Sequence, residues 1–304
     1  MSIHLGGDLY TLRPALDGRL RRIVQIACDL AGKPLDQLRV LDLACLEGHY
    51  GIELALHGAE VVGIELREAN LAKAQYVKDH LRLDRLALYQ DDVRNLTVEK
   101  YGQFDLVICS GILYHLDAPD VFHFMRRIFE VCKRLAIIDT LIALRPEMTF
   151  IFEDEAYHGM WSREHDESAD RETRLKDLWS SVDNIRSFWF TPASLANWVA
   201  RVGFSSFYEC LNPEHAGSED RRAYVAIKGQ PGIVLSSPMT ASMGFTPKPE
   251  QASDPVVGPN LRHGPIFWAA KRLLPPPVKN RIKPILRAVR VLRADSTPKF
   301  LKKH

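Results

Sequence analysis

Residues 40–65 read VLDLACLEGHYGIELALHGAEVVGIE. The run VLDLA is apolar except for one acid, which marks a buried strand ending near Asp42. Ala44 to Gly48 then make a tight loop of small residues around Cys45. HYGIELALHG continues as a helix that stops at Gly58. EVVGIE is a second strand, ending on Glu65. Strand, tight loop, helix and strand form the repeating unit of a parallel sheet. In open sheets of this kind ligands lie outside the carboxyl ends of the strands. An acid ending the second strand suits the two hydroxyls of a ribose, and small residues in the first loop let a ligand approach the backbone.

The same rhythm extends outward. The sequence predicts a helix over 67–81, strands over 85–90 and 104–110, a helix over 119–132 and a strand over 134–140. Upstream, 14–31 has helical spacing and ends at Gly32–Pro34. Downstream, Thr191 and Pro192 open a helix over 191–204 as cap and first residue, and 205–211 and 221–229 read as two more strands. Residues 150–189 are aromatic, charged and weakly periodic, and read as an insertion over the sheet. The expected fold is α/β, a Rossmann-like seven-stranded, mostly parallel sheet with a terminal antiparallel hairpin strand and a helical lid insertion. The expected organisation is a helical N-terminal cap (1–35), a main domain (36–230, with the lid at 144–190), a Pro-rich linker (231–259) and a basic amphipathic tail (260–304).

Composition bounds the function. With 304 residues, 46% hydrophobic and 26% charged, the chain has material for a full core. Its net charge of +2 hides a split. Residues 261–304 hold 12 Lys/Arg against Asp295 alone, and the remainder is acidic by 9 charges. The tail, with Val278, Ile282, Ile285, Leu286, Val289 and Leu292 near helical spacing among its bases, suits an anionic membrane surface. An RNA-binding arm, a solvated tail and a helix docked on the acidic body remain open alternatives. Five cysteines without CxxC spacing read as reduced thiols. No apolar run reaches about 18 residues, and the N-terminus lacks a signal-peptide core. A cytoplasmic protein is expected, with peripheral association at the inner face of the membrane as an option.

Two ligand readings meet at the first loop. A dinucleotide site wants G-x-G-x-x-G under a pyrophosphate. Here the loop reads A-C-L-E-G, and Glu47 would repel phosphate but attract a cationic sulfonium. With Asp42, Ala44, Leu46 and Gly48 standing at the D-x-G-x-G-x-G positions, the sequence resembles the class I S-adenosylmethionine-dependent methyltransferases over about residues 36–230. Two of the family's glycines are replaced. The resemblance implies S-adenosylmethionine as cofactor, with Glu65 on the ribose. QDDVRNL (90–96) then places Asp92 near the adenine amine and Val93 beside the ring. FDLVICSGILYHLDAP (104–119) places Ser110 or Gly111 on the methionine side. Asp42 and Glu65 also suit purely structural caps, but four such signals at strand ends are hard to assign to capping alone.

Methyl transfer to oxygen or nitrogen is an in-line displacement, so the protein must align an acceptor and often remove a proton. His115, just after the fourth strand, is the candidate base, since an imidazole titrates near ~6.5. Tyr114 is a candidate for orienting the acceptor. His158 is a further catalytic candidate. It belongs to an insertion group of Glu153, Asp154, Glu155, His158, Glu164, His165 and Asp166 that could hold a divalent metal, though a solvated lid is the simpler reading. Trp161, Trp179 and Trp189 suit either an acceptor-stacking wall or ordinary packing. GILYHLDAP, AIIDTLIA and RRAYVAIKG look like methyltransferases of bacterial polysaccharide and glycolipid assembly and, more distantly, like tRNA wobble-uridine modifying enzymes. The expected function is O-methylation of a saccharide or glycolipid hydroxyl. The alternatives are a tRNA-modifying transferase, disfavoured by the acidic body, and a non-catalytic nucleoside-binding module.

Overall fold

The computed structural model describes residues 4–6, 9–10, 18–210 and 219–229. The expected linker and tail lie outside the described residues. A short hairpin, β1 (His4–Gly6) and β2 (Leu9–Tyr10), precedes α1 (Gly18–Leu30). The alternation follows as β3 (Arg39–Leu43), α2 (His49–Leu56), β4 (Glu60–Glu65), α3 (Glu68–Leu81), β5 (Leu86–Gln90), α4 (Val98–Tyr101), β6 (Phe104–Ser110), α5 (Asp120–Val131) and β7 (Cys132–Leu141). Next come β8 (Met148–Phe152), β9 (Glu155–Arg163), α6 (Arg171–Lys176) and β10 (Arg186–Phe190). The described part closes with α7 (Pro192–Val202), β11 (Ser206–Cys210) and β12 (Arg221–Ile227).

The main sheet has seven strands in the order β11-β12-β7-β6-β3-β4-β5. Only β12 runs against its neighbours, as its antiparallel pairing with both β7 and β11 requires. The order reverses between β3 and β6, so their carboxyl ends flank a crevice. Alternate side chains explain why these strands are apolar throughout. Leu41, Leu43, Val62, Ile64 and Val107 feed the core under α5 and α7. Val40, Val61, Leu106, Ile108 and Ile137 feed the core under α1 and α2.

The insertion differs from its expected helical form. It is a three-stranded antiparallel sheet, β10-β9-β8, with α6 as its one helix among the described residues. MTFIF of β8 alternates half-buried and exposed residues, the period of a strand. Glu153 and Asp154 both take left-handed backbone, φ 48° and 64°, as a two-residue hairpin turn demands. Gly159 is required in β9, because a Cβ there would meet the Trp189 carbonyl oxygen at 2.3 Å.

This small sheet rests on an aromatic cluster. The Phe122 ring lies 4.6 Å from Phe152, 4.9 Å from Phe190, 5.0 Å from Tyr157 and 5.4 Å from Trp198, centroid to centroid. Phe122 is fully buried and joins α5 to the insertion. Phe122→Ala is expected to lower the unfolding free energy by about 3–5 kcal/mol in urea titration. A loss below about 1 kcal/mol would mean that the cluster does not hold the insertion.

Candidate functional site

A cavity of about 340 Å³ opens at the carboxyl ends of β3, β4 and β6. Asp42, Ala44, Cys45, Glu65, Asp92, Val93, Ser110, Tyr114 and His115 all line it. Residues from four strand ends thus meet where the sheet order reverses.

The first loop is built by local geometry. Ala44 and Leu46 both have φ 50° and Gly48 has φ 80°. The two replaced glycines therefore keep a glycine-like backbone, at a cost of about 1 kcal/mol or more each. Three hydrogen bonds hold the loop: Cys45 N to Ile64 O at 3.0 Å, Gly48 N to Cys45 O at 2.7 Å, and Leu46 N to Glu65 Oε2 at 3.0 Å. Gly48 shapes this loop and starts α2 without reaching the cavity wall. Glu47, expected at the ligand, does not line the cavity, and its carboxylate pairs instead with Lys73 Nζ at 2.6 Å. Cys45 is buried, and burial pushes its thiol well up, which keeps it protonated.

Glu65 is buried beside the cavity. One carboxylate oxygen accepts from Leu46 N and the other from Arg67 N at 2.8 Å. Each carboxylate oxygen retains a lone pair for a further donor. Asp42 is also buried, and Gly51 N donates to its Oδ2 at 2.9 Å. Burial, aided by the Glu65 charge and opposed by the Gly51 hydrogen bond, raises its carboxyl to about 7.

At the far end, Asp92 accepts from Arg94 N and from the Arg94 guanidinium at 2.6 Å. For Asp91, burial pushes the carboxyl up, but hydrogen bonds from Asn95, Lys100 and Tyr101 outweigh it and bring it to about 2.

The opposite end carries the polar chemistry. His115 Nδ1 lies 2.9 Å from Glu164 Oε2, and Glu164 also accepts from Ser181 N and Ser187 Oγ, both at 2.7 Å. Burial pushes Glu164 up, yet these hydrogen bonds and the His115 charge outweigh it and leave its carboxyl lowered. An ionised Glu164 accepts the Nδ1 proton, so Nε2 is the nitrogen able to take another. Tyr114 lies beside His115, and its hydroxyl is 3.4 Å from Arg221. Arg221 Nε donates to the buried Asp139 at 2.7 Å. Ser110 Oγ is 3.5 Å from the Tyr50 hydroxyl, and Arg19 also lines the wall.

His158 is corrected as well. It is exposed on β9, hydrogen-bonded to Thr149 Oγ1 at 2.9 Å, and does not line the cavity. The acids around it have other partners, Glu153 with Arg126 and Glu155 with Arg201. Among the described residues no group of three potential metal ligands converges. Of the three tryptophans considered, Trp179 lines the cavity. Trp161 packs on Phe188, and Trp189 donates to the Tyr114 carbonyl. Sequence reasoning missed Arg19, Tyr50, Arg67, Arg94 and Arg221, and missed Glu164 as the partner of His115. The LYH turn and the acids of the insertion were visible, but their pairing spans 49 residues of chain.

The sheet order and the ligand crevice are those of the Rossmann-like methyltransferase fold. Residues 35–180 match the family described as "Methyltransferase domain". Over 132 residues the chain is 33% identical to "Putative methyltransferase YqeM" of Bacillus subtilis (strain 168), covering 40% of this chain and 52% of that one. Over 101 residues it is 34% identical to "Ubiquinone biosynthesis O-methyltransferase" of Acinetobacter baumannii (strain AYE), covering 33% and 40%. The chain thus spans about half or less of the length of these relatives. Among solved structures, the N-terminal domain of EvdMO1 with SAH bound superposes with a TM-score of 0.54 at 21% identity, over 70% of this chain and 81% of that one. The likeness is one of fold.

Because the folded Asp42 carboxyl is raised, the stability it contributes is fully present below the unfolded value near ~4 and is lost as pH rises through about 7. The unfolding free energy of the wild type minus that of Asp42→Asn should therefore fall by up to ~4 kcal/mol between about pH 4 and pH 8. A difference that stays level across that range would mean that Asp42 titrates like an exposed acid.

Proposed function

We propose that the chain is an S-adenosylmethionine-dependent O-methyltransferase acting on a hydroxyl of a saccharide or glycolipid. The observation that carries the reading is His115, held from behind by Glu164, lining one cavity with Glu65 and Asp92. The methyltransferase-domain match and the O-methyltransferase relative support it.

The residues present fit the cofactor. Glu65 offers two acceptor oxygens, already oriented by backbone N–H groups, to a vicinal diol. Asp91 and Asp92 stand at one end for an exocyclic amine, with Val93 as an apolar neighbour. Arg19, with Ser110 and Tyr50, stands at the other end for an amino-acid group. When bound, S-adenosylmethionine supplies an electrophilic methyl on a cationic sulfur. His115 Nε2 would accept the proton of the acceptor hydroxyl as its oxygen bonds to the methyl carbon and the carbon–sulfur bond breaks, its electron pair leaving with sulfur in S-adenosylhomocysteine. Glu164 holds the ring by Nδ1 and stabilises the imidazolium that results. Tyr114 and Arg221 line the same end, and their hydroxyl and guanidinium suit an acceptor rich in hydroxyls.

Among the described residues no helix is long and apolar enough to cross a membrane. We place the protein in the cytoplasm, with residues 260–304 at an anionic membrane surface, where a glycolipid acceptor would be found.

The test is acceptor-dependent release of S-adenosylhomocysteine, screened over sugar and lipid-linked sugar intermediates. His115→Ala is expected to lower turnover at least 100-fold while leaving S-adenosylhomocysteine affinity within about twofold. Glu164→Gln should lower kcat more than it raises KM. Wild-type turnover in His115→Ala at saturating acceptor would remove this residue from the mechanism.

A further inference from the structure

The two loops that carry the cofactor-end acids also carry two arginines, and both reach the insertion. Arg67 follows Glu65 by two residues. Its guanidinium donates to the carbonyls of Leu175 at 3.2 Å, Asp177 at 2.7 Å and Ser180 at 2.7 Å. Arg94 follows Asp92 by two residues and pairs with Asp183. Between these latches, Leu178, Trp179 and Val182 line the cavity. Trp179 is 79% exposed, unlike the buried Trp198 and the half-buried Trp161 and Trp189. An open indole on a cavity wall, anchored through the two loops that carry Glu65 and Asp92, calls for a flat partner at that end of the site. Aromatic side chains bury roughly 150–250 Å² each when covered.

We propose that residues 177–184 are the roof of the cofactor site, with Trp179 closing on the nucleoside of the bound cofactor and Arg67 and Arg94 holding the roof in place. The proposal rests on the reading of this cavity as a site for S-adenosylmethionine. It reassigns this part of the insertion from the acceptor to the cofactor.

The same strap reaches the base. Ser181 N donates to Glu164, and Asn184 Nδ2 donates to the His115 carbonyl at 2.9 Å. Four residues thus alternate between the two ends of the cavity: Ser180 to Arg67, Ser181 to Glu164, Asp183 to Arg94 and Asn184 to His115. Arg67 is a positioning residue in this scheme, since it acts on the cofactor and on His115 through the strap. Seating of the cofactor stiffens the strap and with it the His115–Glu164 pair, so the cofactor is favoured as the first ligand to bind.

The experiment uses the full chain and S-adenosylhomocysteine, with calorimetry for affinity and acrylamide quenching of tryptophan fluorescence for cover. The Trp179 signal is the difference between wild type and Trp179→Ala. Saturating ligand is expected to shield that signal from acrylamide, and Trp179→Ala should bind about three- to tenfold more weakly. Arg67→Met keeps the backbone N–H that holds Glu65. It should bind more weakly and lose the shielding although Trp179 is still present. Heat of binding in the wild type with Trp179 quenched equally in both states would overturn the roof alone. No heat of binding in the wild type would overturn the cofactor reading, and the roof with it.

Discussion

The buried carboxylate of Glu65 is the constraint on which the site depends. A carboxylate taken out of water costs several kcal/mol unless hydrogen bonds replace its hydration. Here Leu46 N and Arg67 N supply them, one to each oxygen. The first bond fastens the loop after β3 to the end of β4 and helps hold Leu46 in its left-handed conformation. The second fixes where the chain turns after β4, and so where the Arg67 guanidinium starts its reach to the insertion. A single side chain therefore sets the floor of the cavity and the root of one of its latches. The same oxygens are the ones proposed to take a diol, which would make the loop geometry and the ligand geometry one arrangement.

The acids of the cavity are held in different ways, which gives the site a direction. Asp42 has one backbone hydrogen bond and Glu65 as a neighbour, and its carboxyl is raised to about 7. Asp91 has three side-chain donors and is lowered to about 2. Asp92 is neutralised by Arg94. The end near Asp42 is thus the place where a cationic ligand gains most, because a positive charge there relieves the cost of ionising a buried acid. At the other end His115 rests on an ionised Glu164. The cavity keeps its proton-accepting group apart from the buried acid that resists ionisation.

The strand–helix alternation was legible in the sequence because the central strands β3, β4 and β6 are nearly continuous apolar runs, and because α1 and α2 stop at Gly32–Pro34 and Gly58. EVVGIE and FDLVICS match β4 and β6 residue for residue. The acids at the strand ends were legible for the same reason, since strand ends are easy to locate. The insertion was not. Its hairpin turn is built from Glu153 and Asp154 in left-handed backbone, without the glycine or asparagine that usually marks such a turn. Its stability comes from Phe122 and Trp198, which lie elsewhere in the chain. Glu47 misled for a related reason: its place in the loop was right, but Lys73, one helix away, decides where its carboxylate points.

His115 shows where local reading ends and tertiary structure begins. The LYH turn puts the imidazole at the mouth of the cavity, and this much follows from strand β6 ending at Ser110. Which nitrogen carries the proton is decided by Glu164 on β10's neighbouring strand edge, and Glu164 is itself fixed by Ser181 and Ser187. A histidine without such an acceptor would share its proton between both nitrogens and spend part of its time with the wrong one facing the acceptor. The insertion, which carries Glu164, both serines and Trp179, therefore adds more than a cover. It supplies the partner that fixes the orientation of His115, the side chain proposed as the base.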